Sequence, residues 1–101
     1  MEANTLVTIT YTVPGAKRAD FTSLIRSIEQ TINNLQQDVR CAVYQSEDKP
    51  GMYMEVYECE DSDAYDSLED NLDDDTRMKI QRVATEFAEA RQSVMTLRKV
   101  G

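Results

Sequence analysis

Glu55 stands between two tyrosines, Tyr53 and Tyr57, at the alternating spacing that sends side chains to one face of a β-strand. A carboxylate among phenols can work as a general base once burial raises its pKa. A phenol beside it can orient a substrate or donate to a developing oxyanion. If the preceding strand pairs with this one with an even register sum, Cys41, Val43 and Gln45 share the face of Tyr53, Glu55, Tyr57 and Cys59. The same residues have a purely structural use. Glu55 could pair with Arg40 or with an arginine of a partner chain, and the tyrosines could be interface packing.

Several other chemistries are excluded by residue type. The 101 residues contain no histidine, which removes imidazole zinc sites, histidine-based nucleophilic triads and proximal-histidine haem ligation. Cys41 and Cys59 have neither metal-ligand nor Cys-x-x-Cys spacing, and buried free thiols are the expected state. A cross-strand disulfide between them would need Cα atoms within about 7 Å. Gly15, Gly51 and Gly101 lie far apart, so no phosphate-cradling loop is present. The acidic segment from Glu58 to Asp75 includes three consecutive carboxylates, Asp73, Asp74 and Asp75. It lacks the alternating ligands and the glycine of a calcium loop and reads as a solvated helical edge. No metal and no cofactor are expected.

The formal charge of −8 argues against nucleic acid, whose binding needs clustered Lys and Arg, and against anionic membrane surfaces. No apolar run approaches the roughly 18 residues of a transmembrane helix. The start, Met1-Glu2-Ala3-Asn4, lacks the basic and apolar regions of a signal peptide, so the cytoplasm is the expected compartment.

The elements that must position Glu55 follow from periodicity. Val7, Ile9, Tyr11 and Val13 alternate with Thr8, Thr10 and Thr12, a strand over 6–13 that Pro14-Gly15 stops. Phe21, Leu24, Ile25, Ile28, Ile32 and Leu35 recur at helical spacing and predict a helix over about 16–35. Strands are expected over 39–46 and 52–59, joined by a polar hairpin loop with Pro50-Gly51 at its tip. Asp61-Ser62-Asp63 and then 73–76 supply N-caps for two helical pieces, the first carrying Tyr65, Leu68 and Leu72, the second Ile80, Val83, Ala84, Phe87 and Ala88. A closing strand is expected over 93–100. The order β-α-β-β-α-β is that of a single α+β ferredoxin-like domain, a four-stranded antiparallel sheet with helices on one face. The strand over 52–59 carries Met52, Met54 and Val56 on one side and Tyr53 and Tyr57 on the other. Two such faces need two covers, and with no residues left for a second layer the second cover is a copy of the chain.

Met54-Glu55-Val56-Tyr57, an acidic connection and Ala64-Tyr65 opening a helix resemble the Glu-x-Tyr/Trp strand of the antibiotic biosynthesis monooxygenase-like dimeric α/β barrel family. The Val13-Pro14-Gly15 turn followed by Phe21 and Leu24 is similar to that family's strand-Pro-Gly-helix opening. The resemblance implies a homodimer packed sheet to sheet, with a pocket between helices and sheet or within the barrel. It implies activities such as cofactor-independent oxygenation of aromatic polyketides, quinol oxygenation or haem degradation. Members often carry histidine near the position of Leu68, and haem-degrading ones a first-strand asparagine at about Thr8 and an aromatic at about Tyr57; here only the aromatic is present. The match turns the Tyr57 face toward the cavity and also places Thr8 and Thr10 there. The expected site therefore has Glu55 and Tyr57 as catalytic groups and Thr8, Thr10, Cys41 and Tyr53 as ligand contacts. The expected function is binding, or cofactor-free monooxygenase-like or isomerase-like conversion, of an aromatic or quinoid compound. The alternative is a non-catalytic dimerisation or regulatory module.

Overall fold

In the computed structural model, residues 3–35 and 38–101 are described, with only the backbone at 90 and 91. The expectation that rests on Met1 and Glu2 lies outside them. The elements are β1 (Thr5–Thr12), α1 (Arg18–Asn34), β2 (Val39–Gln45), β3 (Met52–Cys59), α2 (Ser62–Asn71), α3 (Asp74–Arg82) and β4 (Glu89–Arg98). A 3-10 turn, Gly15–Lys17, leads into α1, and a π-helical turn, Val83–Phe87, ends α3. The four strands form one antiparallel sheet in the order β2-β3-β1-β4. This is the ferredoxin-like α+β arrangement.

Register decides which side chains meet. Glu55 lies opposite Ile9 of β1 and Val43 of β2, Tyr57 opposite Val7 and Cys41, and Tyr53 opposite Tyr11 and Gln45. Odd-numbered residues of these three strands therefore share one face. That face is covered by the chain's own α1, through Phe21, Leu24, Ile25, Ile28 and Ile32, together with Leu68, Leu72, Val83 and Phe87. Phe21 anchors the layer: its ring lies 4.6 Å from Tyr53, 5.8 Å from Tyr11 and 6.2 Å from Phe87.

The even-numbered face is different. Thr8 and Thr10 sit there with Val56 and Met54 of β3 and Met95 and Ser93 of β4. Among the described residues no helix covers it, and Tyr44, Met54, Met95 and Leu97 are all exposed on it.

Helix starts follow the aspartates. Asp61 caps α2 by accepting from the Ala64 N–H at 2.9 Å, and Asp73 caps α3 through the Thr76 N–H at 2.9 Å. Asp74 and Asp75, in the first turn of α3, pair with Arg77 and Lys79. The acidic triplet is thus helix-starting chemistry, favoured by the positive end of the helix dipole. Among the described residues no group of three or more metal-ligating side chains converges, and no helix is long and apolar enough to cross a membrane.

One boundary moves. β4 starts at Glu89 rather than 93, because Thr12 extends the ladder to Glu89 past an irregularity and holds its carbonyl through Oγ1 at 3.3 Å. Backbone pairing supplies a strand there that the polar sequence at 89–93 does not announce.

Candidate functional site

β3 delivers Glu55 to the inner face of the sheet, and β1 and β3 deliver two phenols to it. Tyr11 donates to Glu55 Oε2 at 2.5 Å, and Tyr57 donates to Oε1 at 2.6 Å. Glu55 is 6% exposed, Tyr11 3% and Tyr57 4%. Tyr65 of α2 closes over Tyr57 edge to face, 5.1 Å between ring centres.

The carboxyl lines a cavity of about 310 Å³ between sheet and helices. Ile9 and Tyr57 flank it on the sheet side, Ile25, Ile28 and Ile32 come from α1, and Leu68, Leu72, Ile80 and Val83 come from the layer of α2, α3 and the π turn. Asp66, Glu69 and Arg77 line its outer end and are exposed. A π turn widens a helix by one residue and often marks a working site; here it contributes Val83 and Ala84 to the wall.

Burial pushes the Glu55 carboxyl above the ordinary carboxylate range, and the two phenol hydrogen bonds pull against that shift. Both phenols are driven up, first by burial and then by the neighbouring Glu55 charge, so they stay protonated donors. Burial also pushes the Cys41 thiol up to about 12, which removes it as a nucleophile near neutrality. Glu55 is thus the proton acceptor of the inner end of the cavity. An acid-base step at one carboxylate, with the charge steadied by two phenols, is what the geometry can perform.

The expected site is brought together in part. Glu55 and Tyr57 meet in the cavity wall. Cys41 and Tyr53 share their face but do not line the cavity: Cys41 lies across from Tyr57, and Tyr53 is packed on Phe21. Thr8 and Thr10 are a correction. The pairing of Glu55 with Ile9 puts both threonines on the opposite face, so they cannot reach the carboxylate. The Arg40 pairing is also overturned, since Arg40 lies across from Glu58 and donates to the Asn33 carbonyl at 3.3 Å. Cys59 lies across from Val39, two residues from Cys41's partner, and both cysteines are free and buried. Tyr11 was missed as a site residue. Alternation in β1 shows that Tyr11 and Ile9 share a face, but the even β1–β3 register sum that turns this face toward Glu55 is a long-range pairing.

No protein-family model matches the chain, and no curated protein matches it in sequence. Solved structures do match in fold. A conserved protein from Methanosarcina mazei Go1 superposes with a TM-score of 0.82 at 17% identity, covering 97% of this chain and 94% of that one. An antibiotic biosynthesis monooxygenase gives 0.81 at 11% identity, covering 96% and 99%. A Nitrosomonas europaea protein, provisionally assigned as an antibiotic biosynthesis monooxygenase, gives 0.78 at 16% identity, covering 99% and 94%. The chain therefore has a ferredoxin-like α+β fold. More narrowly, it is the fold of the antibiotic biosynthesis monooxygenase-like structures, as the strand and turn motifs implied.

Proposed function

We propose that this protein is a dimeric α/β barrel, one domain over its whole length and cytoplasmic, that binds a small aromatic or quinoid compound and converts it without a cofactor. Glu55 removes a proton from a phenolic O–H or from a carbon next to a carbonyl. The resulting anion either gives its electrons to dioxygen, as in a monooxygenase, or is reprotonated at another position, as in an isomerase. Tyr57 and Tyr11 keep the carboxylate oriented. The observation that carries this reading is the cavity between sheet and helices that reaches a buried carboxylate, which two phenols hold and no cation neutralises among the described residues. The names of the structural neighbours support the same class of chemistry.

A second reading has its own observation. Tyr44, 61% exposed, and Met95, 53% exposed, lie on the uncovered sheet face, which favours a module whose work is self-association. Glu55→Gln separates the two. Mass spectrometry of protein purified without added ligand, alongside light scattering, gives the readout. Loss of a co-purifying or titrated aromatic ligand with the dimer intact supports a site. Loss of the dimer with no effect on ligand supports the module and sinks the enzyme reading.

A further inference from the structure

The carboxylate at the inner end of the cavity is an acceptor whose two hydrogen-bonded neighbours have no hydrogen left to give. The phenol hydrogens of Tyr11 and Tyr57 are both committed to Glu55, one to each carboxylate oxygen. Each of those oxygens keeps a further lone-pair direction. Among the described residues the Gln92 amide and the Tyr65 hydroxyl also line the cavity; each can donate or accept and neither carries charge. At the outer end stand Asp66 and Glu69, and the cation on the lining, Arg77, already donates to the Glu69 carbonyl through Nε at 3.0 Å and Nη2 at 2.9 Å. A carboxylate or phosphate entering this cavity would meet a buried like charge and few free donors, in a protein of formal charge −8.

The walls between the two ends are apolar, with Ile9, Ile28, Ile32, Leu68, Leu72 and Ile80 among them. Tyr57 and Tyr65 add two ring faces beside the carboxylate. We infer that the cavity selects lipophilic cations: a protonated amine carried on an apolar or aromatic body, its ammonium set against Glu55. An ammonium brings three hydrogens and a positive charge to a carboxylate that, among the described residues, has no cation paired with it. A neutral body of the same shape would gain the wall contacts and neutral hydrogen bonds, without the charge. This narrows the ligand class for the cavity proposed above and rests on that cavity being a ligand site.

The test uses three probes of one skeleton, phenylbutylamine, phenylbutanol and phenylbutyrate, titrated into the intact protein at neutral pH by calorimetry and NMR. The expected result is an amine at least about 10-fold tighter than the alcohol, with no saturable binding of the carboxylate. Glu55→Gln should weaken the amine by at least about 10-fold and leave the alcohol within about 2-fold. An alcohol as tight as the amine overturns the charge selection while leaving the cavity as a site. Failure of all three probes overturns both this inference and the ligand-site reading beneath it. Amine binding that survives Glu55→Gln assigns the effect to the exposed Asp66 and Glu69 and overturns the inference. If that variant does not fold, salt decides on the wild-type protein. A buried ion pair keeps its affinity within about 3-fold in high salt, whereas pairing at the exposed rim is screened away and sinks the idea.

Discussion

Glu55 is a carboxylate that the fold keeps out of water and steadies with two hydroxyls, and each of those facts has a measurable sign. In the unfolded chain its pKa is ordinary; in the folded protein burial raises it. The folded state therefore holds the proton more tightly, and stability falls as pH rises from the unfolded value to the raised folded one. Below that window the group costs nothing; above it the full cost of an ionised buried carboxylate is present. Glu55→Gln has no such titration. The melting temperature of the wild type relative to Glu55→Gln should fall as pH is raised from the ordinary carboxyl value through the raised folded one, then level off. A difference independent of pH would show that Glu55 is not desolvated as the structure has it. Tyr11→Phe tests the opposing effect. The Tyr11 hydrogen bond lowers the Glu55 pKa, so its loss should move the carboxyl titration, followed by carbon NMR, upward. An unchanged or lowered value would mean that the hydroxyl does not hold this oxygen.

At the scale of elements, β2 lies at an edge of the sheet, and its outer groups are met by side chains of α1. Asn33 Nδ2 donates to the Cys41 carbonyl at 2.8 Å, the Cys41 N–H donates to Asn33 Oδ1 at 2.8 Å, and the Val43 N–H donates to Glu29 Oε2 at 3.2 Å. These contacts fix the hairpin that carries Glu55 against its helix and blunt the edge against pairing with other chains. Asn33→Ala leaves two half-buried backbone groups short of partners and should cost about 1–2 kcal/mol in denaturant unfolding, with faster exchange of the Cys41 amide proton. No loss would mean that water replaces the side chain without penalty. The apolar stripe of α1, the strand over 52–59 and the aspartate caps were all legible in the sequence, because periodicity and capping are local properties. The side of β1 that meets Glu55 was not read correctly. A strand has two candidate faces, and the choice between them is a long-range register, here Ile9 against Glu55, that no local pattern prints. The same limit hid Tyr11 from the candidate site and placed Thr8 and Thr10 in it. The start of β4 was hidden because an edge strand can be held by backbone pairing alone.

For the whole molecule, the contrast between the two faces of the sheet is the main unresolved energy. One face is largely covered by the chain's own helices, with Val94 of β4 exposed at its edge, while the other leaves Tyr44, Met54, Met95 and Leu97 in contact with water. Four strands about 4.8 Å apart, each of seven or more residues at ~3.4 Å, present on the order of 450 Å² of flat sheet. Side-chain relief carries the accessible area toward the roughly 800 Å² per partner of a standard interface. Apolar side chains gathered on such a face are more than the scatter expected of a monomer's surface. A second copy is suited to cover it, since a two-fold interface sets the same patch against itself. Met54 lies across from Tyr44 and Thr10 on this face, and its substitution touches neither Glu55 nor the helix layer. Met54→Glu would bury a charge from each copy in such an interface, so light scattering at micromolar concentration should find a dimer for the wild type and a folded monomer for the variant. A wild-type monomer under those conditions would sink the two-copy arrangement. A dimer in both would place the interface elsewhere on the molecule.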